Sequence, residues 1–474
     1  MRVFFTVLMC VVMGSTWAGE RAEISRLVDA QAEQASELAS NIWSWAEMGY
    51  QETKSTGALQ NYLKGAGFKV KAGVAEIPTA FVATAKVGRG GPTIGILAEF
   101  DALPGLSQAP VPERASLSEN GGGHACGHHL FGAASATAGV ALLNWLKETN
   151  TAATIKVFGT PAEEGGSGKV YMARAGLFEE VDVVLHWHPS SANSASPSST
   201  TANKSGRFTF HGKAAHAASA PDSGRSALDG VEAMNFMVNL MREHVPQESR
   251  LHYVITDGGD APNIVPEQAQ VYYYVRHPKA EMVKVLFERV VKAAEAAAMG
   301  TGTQVDVEVM HGNYPVLPNH ALAKLVDENL RALGGITYSP AEQEFAQTLY
   351  KTFINPKAKL GSEQTIAPFR FRQGYGSTDV GDVSWQVPTV GFSTATWVPG
   401  TPGHSWQAVA AGGMSIGHKG MHLAAAVIAQ TGADLITSPN LIDEARKEFK
   451  QSLGEDFVYS ALLGDRDPPL DYRN

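Results

Sequence analysis

Four short segments carry residue types that can hold a metal ion and move protons. Gly121–His129 reads Gly-Gly-Gly-His-Ala-Cys-Gly-His-His. The Cys126-x-His128 spacing lets a thiolate and an imidazole meet one ion from a sharply turned, glycine-rich backbone. Thr160–Gly168 sets Glu163 beside Glu164. In a loop, one of two adjacent carboxylates can bind a metal while the other handles protons. Leu185–Pro189 carries His186 and His188, which share one face if the segment is a strand. His404 lies far away in the Pro/Gly-rich run Gly400–Trp406. Singly, each segment has a bland reading: solvated histidines, surface acids, a capped strand end, a turn. Together they supply Cys, His, Glu, His and His, which suits Zn²⁺, Mn²⁺ or Co²⁺ without choosing among them.

The elements that must position these residues alternate between strand and helix. Residues 21–48 read as a first helix and Ser55–Gly67 as a second, closed by glycine. Phe81–Lys86, Thr93–Phe100, Thr154–Gly159 and Val181–His188 read as strands, and Leu130–Lys147 as a long apolar helix. Such alternation predicts an α/β sheet with its site at the carboxyl ends of the strands. Ser190–Lys204 is rich in small polar residues and reads as a linker. Beyond it, strands at Arg207–His211, Leu251–Thr256, Val271–Arg276 and Val305–Met310 and helices at Ala227–His244 and Met282–Met299 form a smaller α+β unit inside the chain. The expected layout is a catalytic domain over 19–203 and 317–440, an inserted domain over 204–316, and a tail over 441–474 that starts with a charged helix and suggests no function.

The 474 residues are too many for one compact core, and 44% hydrophobic with 18% charged is ordinary globular composition. A formal net charge of −9 argues against nucleic acid or an anionic membrane as partner. Residues 1–18 read as an export signal: Arg2, an apolar run Val3–Gly14, then small residues that suit a cut after Ala18. The run is too short for a permanent anchor, so no stable membrane insertion is expected once it is removed. The expected location is periplasmic or secreted. Cys10 lies in the signal, leaving Cys126 as the one thiol of the mature chain and no internal disulfide. In an oxidising space such a thiol is expected to be buried or metal-held.

Four motifs in order carry a family resemblance: Ala98–Gln108 (Ala-Glu-Phe-Asp-Ala-Leu-Pro-Gly-Leu-Ser-Gln), Gly123–His128, Thr160–Gly168 and Gly376–Trp385. Across residues 40–440 the chain resembles the metallo-amidohydrolases that include the aminobenzoyl-glutamate and plant auxin-conjugate hydrolases. The resemblance implies a mixed-sheet catalytic domain with an inserted α+β lid or dimerisation domain. It implies two divalent ions per subunit, Mn²⁺ or Zn²⁺ or else Co²⁺. Cys126, His128, Glu164, His188 and His404 would be the ligands, Glu163 the general base, and Asp101 a partner that orients a ligand imidazole. His188 rather than His186 matches the family ligand. One departure is His129, where many relatives carry Asp. His124, His129, His186 and Asp379 are left without a role.

The inserted unit carries His211-Gly-Lys-Ala-Ala-His216. By resemblance, His216 would reach the reacting carbonyl, often from the partner subunit, and Asn263 and Arg276 would hold the substrate carboxylate. The implied reaction is hydrolysis of an N-acyl amino acid such as aminobenzoyl-glutamate, by a homodimer or a heteromer with a related subunit. A dipeptidase or aminoacylase is the nearest rival. A binding protein would need a missing ligand, and none is missing. A cysteine hydrolase built on Cys126 would be sensitive to alkylation and indifferent to chelators.

Overall fold

The computed structural model describes residues 21–473, so the proposed signal at 1–18 lies outside the described residues. Twelve strands follow in order: β1 (Lys69–Ala72), β2 (Phe81–Val87), β3 (Thr93–Ala98), β4 (Ala153–Gly159), β5 (Val183–Ser190), β6 (Ser198–Ser199), β7 (Ala202–His211), β8 (Arg250–Asp257), β9 (Gln268–His277), β10 (Gln304–Asn313), β11 (Arg372–Gln373) and β12 (Thr389–Ala395). A six-stranded sheet runs β1-β2-β4-β3-β5-β12. Strands β4, β3, β5 and the edge strand β12 are mutually parallel, while β2 and β1 are added by antiparallel pairing at the other edge. The parallel strands are apolar nearly throughout, as expected for strands covered on both faces.

The helix His128–Thr149 is buried along most of its length and packs against the long helix Ser415–Thr437. Alanine and glycine let it lie close: a Cβ on Gly132 would sit 2.7 Å from the Glu99 carbonyl oxygen. The first helix is not continuous over 21–48. It breaks at Ala30–Gln31 and resumes as Ala32–Trp45, where Ala46 takes a left-handed φ of 43° and ends it.

A second sheet, β10-β7-β9-β8, is antiparallel throughout and has its own buried core. The helices Ala227–Met241 and Ala280–Thr301 pack on one face of it through Met234, Val238, Leu286 and Val290. The edge strand β8 is exposed at most positions.

The small polar stretch 190–204 is not a free linker. Asn193 Nδ2 donates to the Glu363 carbonyl oxygen at 2.7 Å, β6 pairs with β11, and β7 starts at Ala202. Small hydroxyl side chains let this backbone run beside residues 366–374, where hydrophobic patterning has nothing to register.

Candidate metal centre

Parallel strands place their carboxyl ends along one sheet edge, and the candidate residues follow from that fact. Glu99 and Asp101 come after β3, and Glu163 and Glu164 after β4. His188 lies near the end of β5, and His404 follows β12. The Cys126–His128 loop reaches the same edge because Gly127 adopts φ +77°. A Cβ there would lie 2.6 Å from Pro189 Cβ, so only glycine lets the loop touch the end of β5. That contact brings Cys126 Sγ to 3.4 Å from His188 Nε2.

Two groups of potential donors share Cys126: Cys126–His128–His188 and Cys126–Glu164–His404, with ligand atoms in each within 4.8 Å of one another. The structure thus brings all five sequence-predicted ligands together. Cys126 is the donor common to both groups, so its thiolate would be shared if each group held a divalent ion. Unfilled bonding capacity points the same way. His128 Nε2 and Glu164 Oε1 are buried without a well-formed hydrogen bond, although Glu99 Oε2 and His404 Nε2 lie 3.0 and 3.2 Å away. The donors therefore fit divalent metal ions.

A layer of hydrogen bonds aims these groups. His128 Nδ1 contacts Asp101 Oδ1 at 2.8 Å, and Asp101 Oδ2 accepts from the Glu164 N–H at 2.9 Å. One carboxylate thus orients two candidate ligands. His188 Nδ1 pairs with the Pro189 carbonyl oxygen at 2.7 Å, leaving Nε2 for the site. Burial pushes His188 down to about 4, so it is a neutral donor at neutral pH. Burial also raises the Cys126 thiol far above its ordinary range, which disfavours a free thiolate nucleophile.

Glu163 faces the same cavity. Burial, then the nearby charges of Glu99, Glu164 and Asp379, raise its carboxyl well above the usual range. A carboxyl in that setting holds a proton strongly. Beneath it lies a buried ion cluster with no sequence-level assignment. Lys169 Nζ sits 2.7 Å from Glu99 Oε1 and 2.8 Å from Asp379 Oδ1. Asp379, without a role in the sequence pattern, is thus the counter-ion of a buried lysine. The i, i+2 spacing of Glu99 and Asp101 past a strand end was the signal that could have found Glu99.

Of the other three histidines near the cluster, His124 and His129 are tied to backbone carbonyls, while His186 lines the cavity. His124 Nε2 pairs with the Ile42 carbonyl oxygen at 3.1 Å and His129 Nε2 with that of Gly412 at 3.0 Å. Burial lowers both, His124 to about 3, so they serve as neutral donors that pin the loop to two helices. His186 packs over Gly391, where a Cβ would collide with its ring.

The cavity in front of the cluster has a volume of about 410 Å³. Beyond the acids and histidines it is lined by hydroxyls of Ser194, Ser196, Ser198 and Thr200 from the stretch expected to be a linker, and by Arg372. Sequence reading missed these because hydroxyl-rich segments look alike whether they line a pocket or connect domains.

The inserted unit behaves differently. His216 and Asn263 are exposed and adjacent, with the Ala217 N–H donating to the Asn263 carbonyl oxygen at 3.0 Å. His216 Nδ1 accepts from the Ala218 and Ser219 N–H groups, both at 3.2 Å, so the ring's N–H is on Nε2. Arg276 lies on β9, with its guanidinium 5.3 Å from the Tyr274 ring centre. None of these three lines the cavity of the single chain.

The segment after 454 does not hang free. Tyr472 Oη and Arg473 Nη2 both donate to the Glu164 carbonyl oxygen, at 3.1 and 2.7 Å.

A family model described as a peptidase dimerisation domain matches residues 199–301. A p-aminobenzoyl-glutamate hydrolase polypeptide from Escherichia coli is 37% identical, over 90% of this chain and 95% of that protein. Xaa-Arg dipeptidase of Mus musculus is 32% identical, over 90% of this chain and 92% of that protein. Among solved structures, a dinuclear metal-binding peptidase of the M20 family from Bacillus subtilis superposes with a TM-score of 0.56 at 18% identity, covering 85% of this chain and 99% of that one.

Proposed function

The chain belongs to the M20 peptidase family and is a hydrolase of amide bonds, and from that premise we propose that it cleaves an N-acyl amino acid bearing a free carboxylate, with aminobenzoyl-glutamate the first substrate to try. The observation that carries the metal part of this reading is the pair of donor groups joined at Cys126. Two divalent ions, Mn²⁺, Zn²⁺ or Co²⁺, would be held by Cys126, His128, His188, Glu164 and His404. When bound, such ions polarise the substrate carbonyl and make water easier to deprotonate.

Glu163 takes the proton from the attacking water and passes it to the leaving nitrogen; its raised proton affinity supports both steps. Asp101 keeps His128 and Glu164 in register. His216, with Nε2 free, is the donor for the oxyanion and is delivered from the inserted domain, by a partner subunit in this reading. Arg276 and Asn263 hold the substrate carboxylate once that domain approaches. Homodimerisation is supported by the matching dimerisation domain and by exposed Phe236, Leu240 and Val254 on the inserted unit. A related subunit could take the partner's place on the same surface. Export rests on the Arg2–Ala18 pattern.

The test is hydrolysis of aminobenzoyl-glutamate by metal-stripped protein, with Mn²⁺, Zn²⁺ or Co²⁺ returned. Metal-dependent release of glutamate is expected. Release from a dipeptide ending in arginine, and not from aminobenzoyl-glutamate, would favour a second reading as a dipeptidase, which the 32% identity to a dipeptidase supports.

A further inference from the structure

The loop that carries Glu163 and Glu164 is unusual in its backbone. Ala162, Gly165 and Ser167 all have positive φ, 58°, 94° and 62°. For alanine and serine this conformation is strained, so surrounding contacts must hold the loop in place. On one side, Glu52 Oε1 accepts from the Ala162 N–H at 2.9 Å, and Tyr50 Oη donates to the Gly166 carbonyl oxygen at 2.5 Å. At Glu164 itself the backbone is gripped at both ends. Its N–H goes to Asp101, and its carbonyl oxygen takes both donors from Tyr472 and Arg473.

The segment that brings those donors is anchored along its course. Leu462 is buried in the core of the inserted domain, while Leu463 is buried in that of the catalytic domain. Arg174 Nη1 donates to the carbonyl oxygens of Gly464 and Arg466, both at 2.8 Å, and Tyr171 Oη to that of Asp467 at 3.2 Å. Arg466 Nη1 donates to the Val309 and Met310 carbonyl oxygens of β10, at 2.8 and 2.9 Å. Room for the Tyr472 ring is built in. A Cβ on Gly49 would collide with Tyr472 Oη, and the ring packs edge-on against Tyr50 at 5.6 Å.

We propose that Tyr472 and Arg473 are positioning residues for Glu164, and that segment 462–473 is a strap tying the Glu163–Glu164 loop to both domains. The proposal rests on the reading of Glu164 as a metal ligand. A carbonyl fixed by two donors restricts rotation of the Glu164 backbone and hence the direction of its side chain. Loss of such supporting contacts around a metal typically costs 10–100-fold in affinity or activity.

The test compares the wild-type chain with Tyr472→Phe, Arg473→Ala, the double variant and Arg473→Lys. Zn²⁺ and Mn²⁺ affinities are measured by competition with a chromophoric chelator, beside kcat, KM and the unfolding temperature. The double variant is expected to weaken one of two metal sites by about tenfold or more, with kcat falling and KM little changed. Arg473→Lys, which keeps a donor, should recover part of the loss that Arg473→Ala shows. Unchanged metal affinity and kcat in the folded double variant, even with a lower unfolding temperature, would overturn the proposal. If the double variant does not fold, the same comparison is read from Tyr472→Phe, which keeps the ring. Wild-type protein that binds neither ion would instead remove the ligand reading on which the proposal stands.

Discussion

The two domains hold their chemistry in opposite ways. In the catalytic domain, Asp101, His128 and Glu99 are at most 1% exposed, and each is already held by a neighbour within 3.0 Å. In the inserted domain, His216 and Asn263 are exposed and lie outside the cavity, with His216 Nδ1 engaged by the neighbouring Ala218 and Ser219 N–H groups. The difference follows from cost. Groups that shape metal ligands must be desolvated and fixed in advance, since any reorganisation is charged to each binding event. Groups that meet the substrate last can stay in water until a second surface arrives.

The comparison breaks most sharply at Glu163. Glu163→Gln should retain metal and lose roughly 10²–10⁴-fold in kcat, because it removes the proton carrier and leaves the ligands in place. Metal analysis alongside single-turnover rates checks this; surviving turnover would move the base elsewhere.

A somewhat smaller loss is expected for His216→Ala, about 10²–10³-fold in kcat with metal content unchanged. If His216 acts across a dimer, mixing this variant with Glu163→Gln should restore activity that neither has alone. Each mixed dimer then contains one site with both residues. No recovery on mixing would place His216 over its own chain's site or outside the reaction.

The smallest effect is expected at the seam between the domains. Asp382 is buried, accepts from Tyr459 Oη at 2.7 Å and from the Tyr314 N–H at 3.0 Å, and is pushed up to about 7, chiefly by burial. Its folded value therefore lies above its unfolded one. The folded state keeps the proton between about 4 and 7 while the unfolded state releases it, so this group's contribution to stability falls as pH rises through that window. Asp382→Asn removes the titration. Unfolding temperatures at pH 4, 5.5 and 7 should show the variant gaining on the wild type as pH rises, and a constant gap would refute the shift.

Much of the catalytic half was legible because strand-end positions carry their meaning in spacing. A run of apolar residues followed by Glu99-Phe-Asp101, by Glu163-Glu164 or within Leu185–His188 announces both strand and site. The hydroxyl-lined wall at Ser194–Thr200 was not legible, since its residues are held by backbone pairing to 366–374, a partner far away in sequence. Lys169 was equally silent. A lysine near a helix start reads as solvated, and only the meeting of Glu99 and Asp379, 280 positions apart, makes it a buried counter-ion. His216, Asn263 and Arg276 came from family likeness alone, and within one chain none of the three lines the cavity.

The contact between Glu164 and Tyr472 spans 308 positions of sequence. At roughly 5–20 residues added per second, the ribosome makes the Glu163–Glu164 loop about 15–60 s before it makes the residues that grip it. Throughout that interval three left-handed backbone positions have no support from that side. The catalytic half therefore cannot be finished domain by domain as it emerges. Its chemistry is assembled late in synthesis, after the inserted domain has had time to fold.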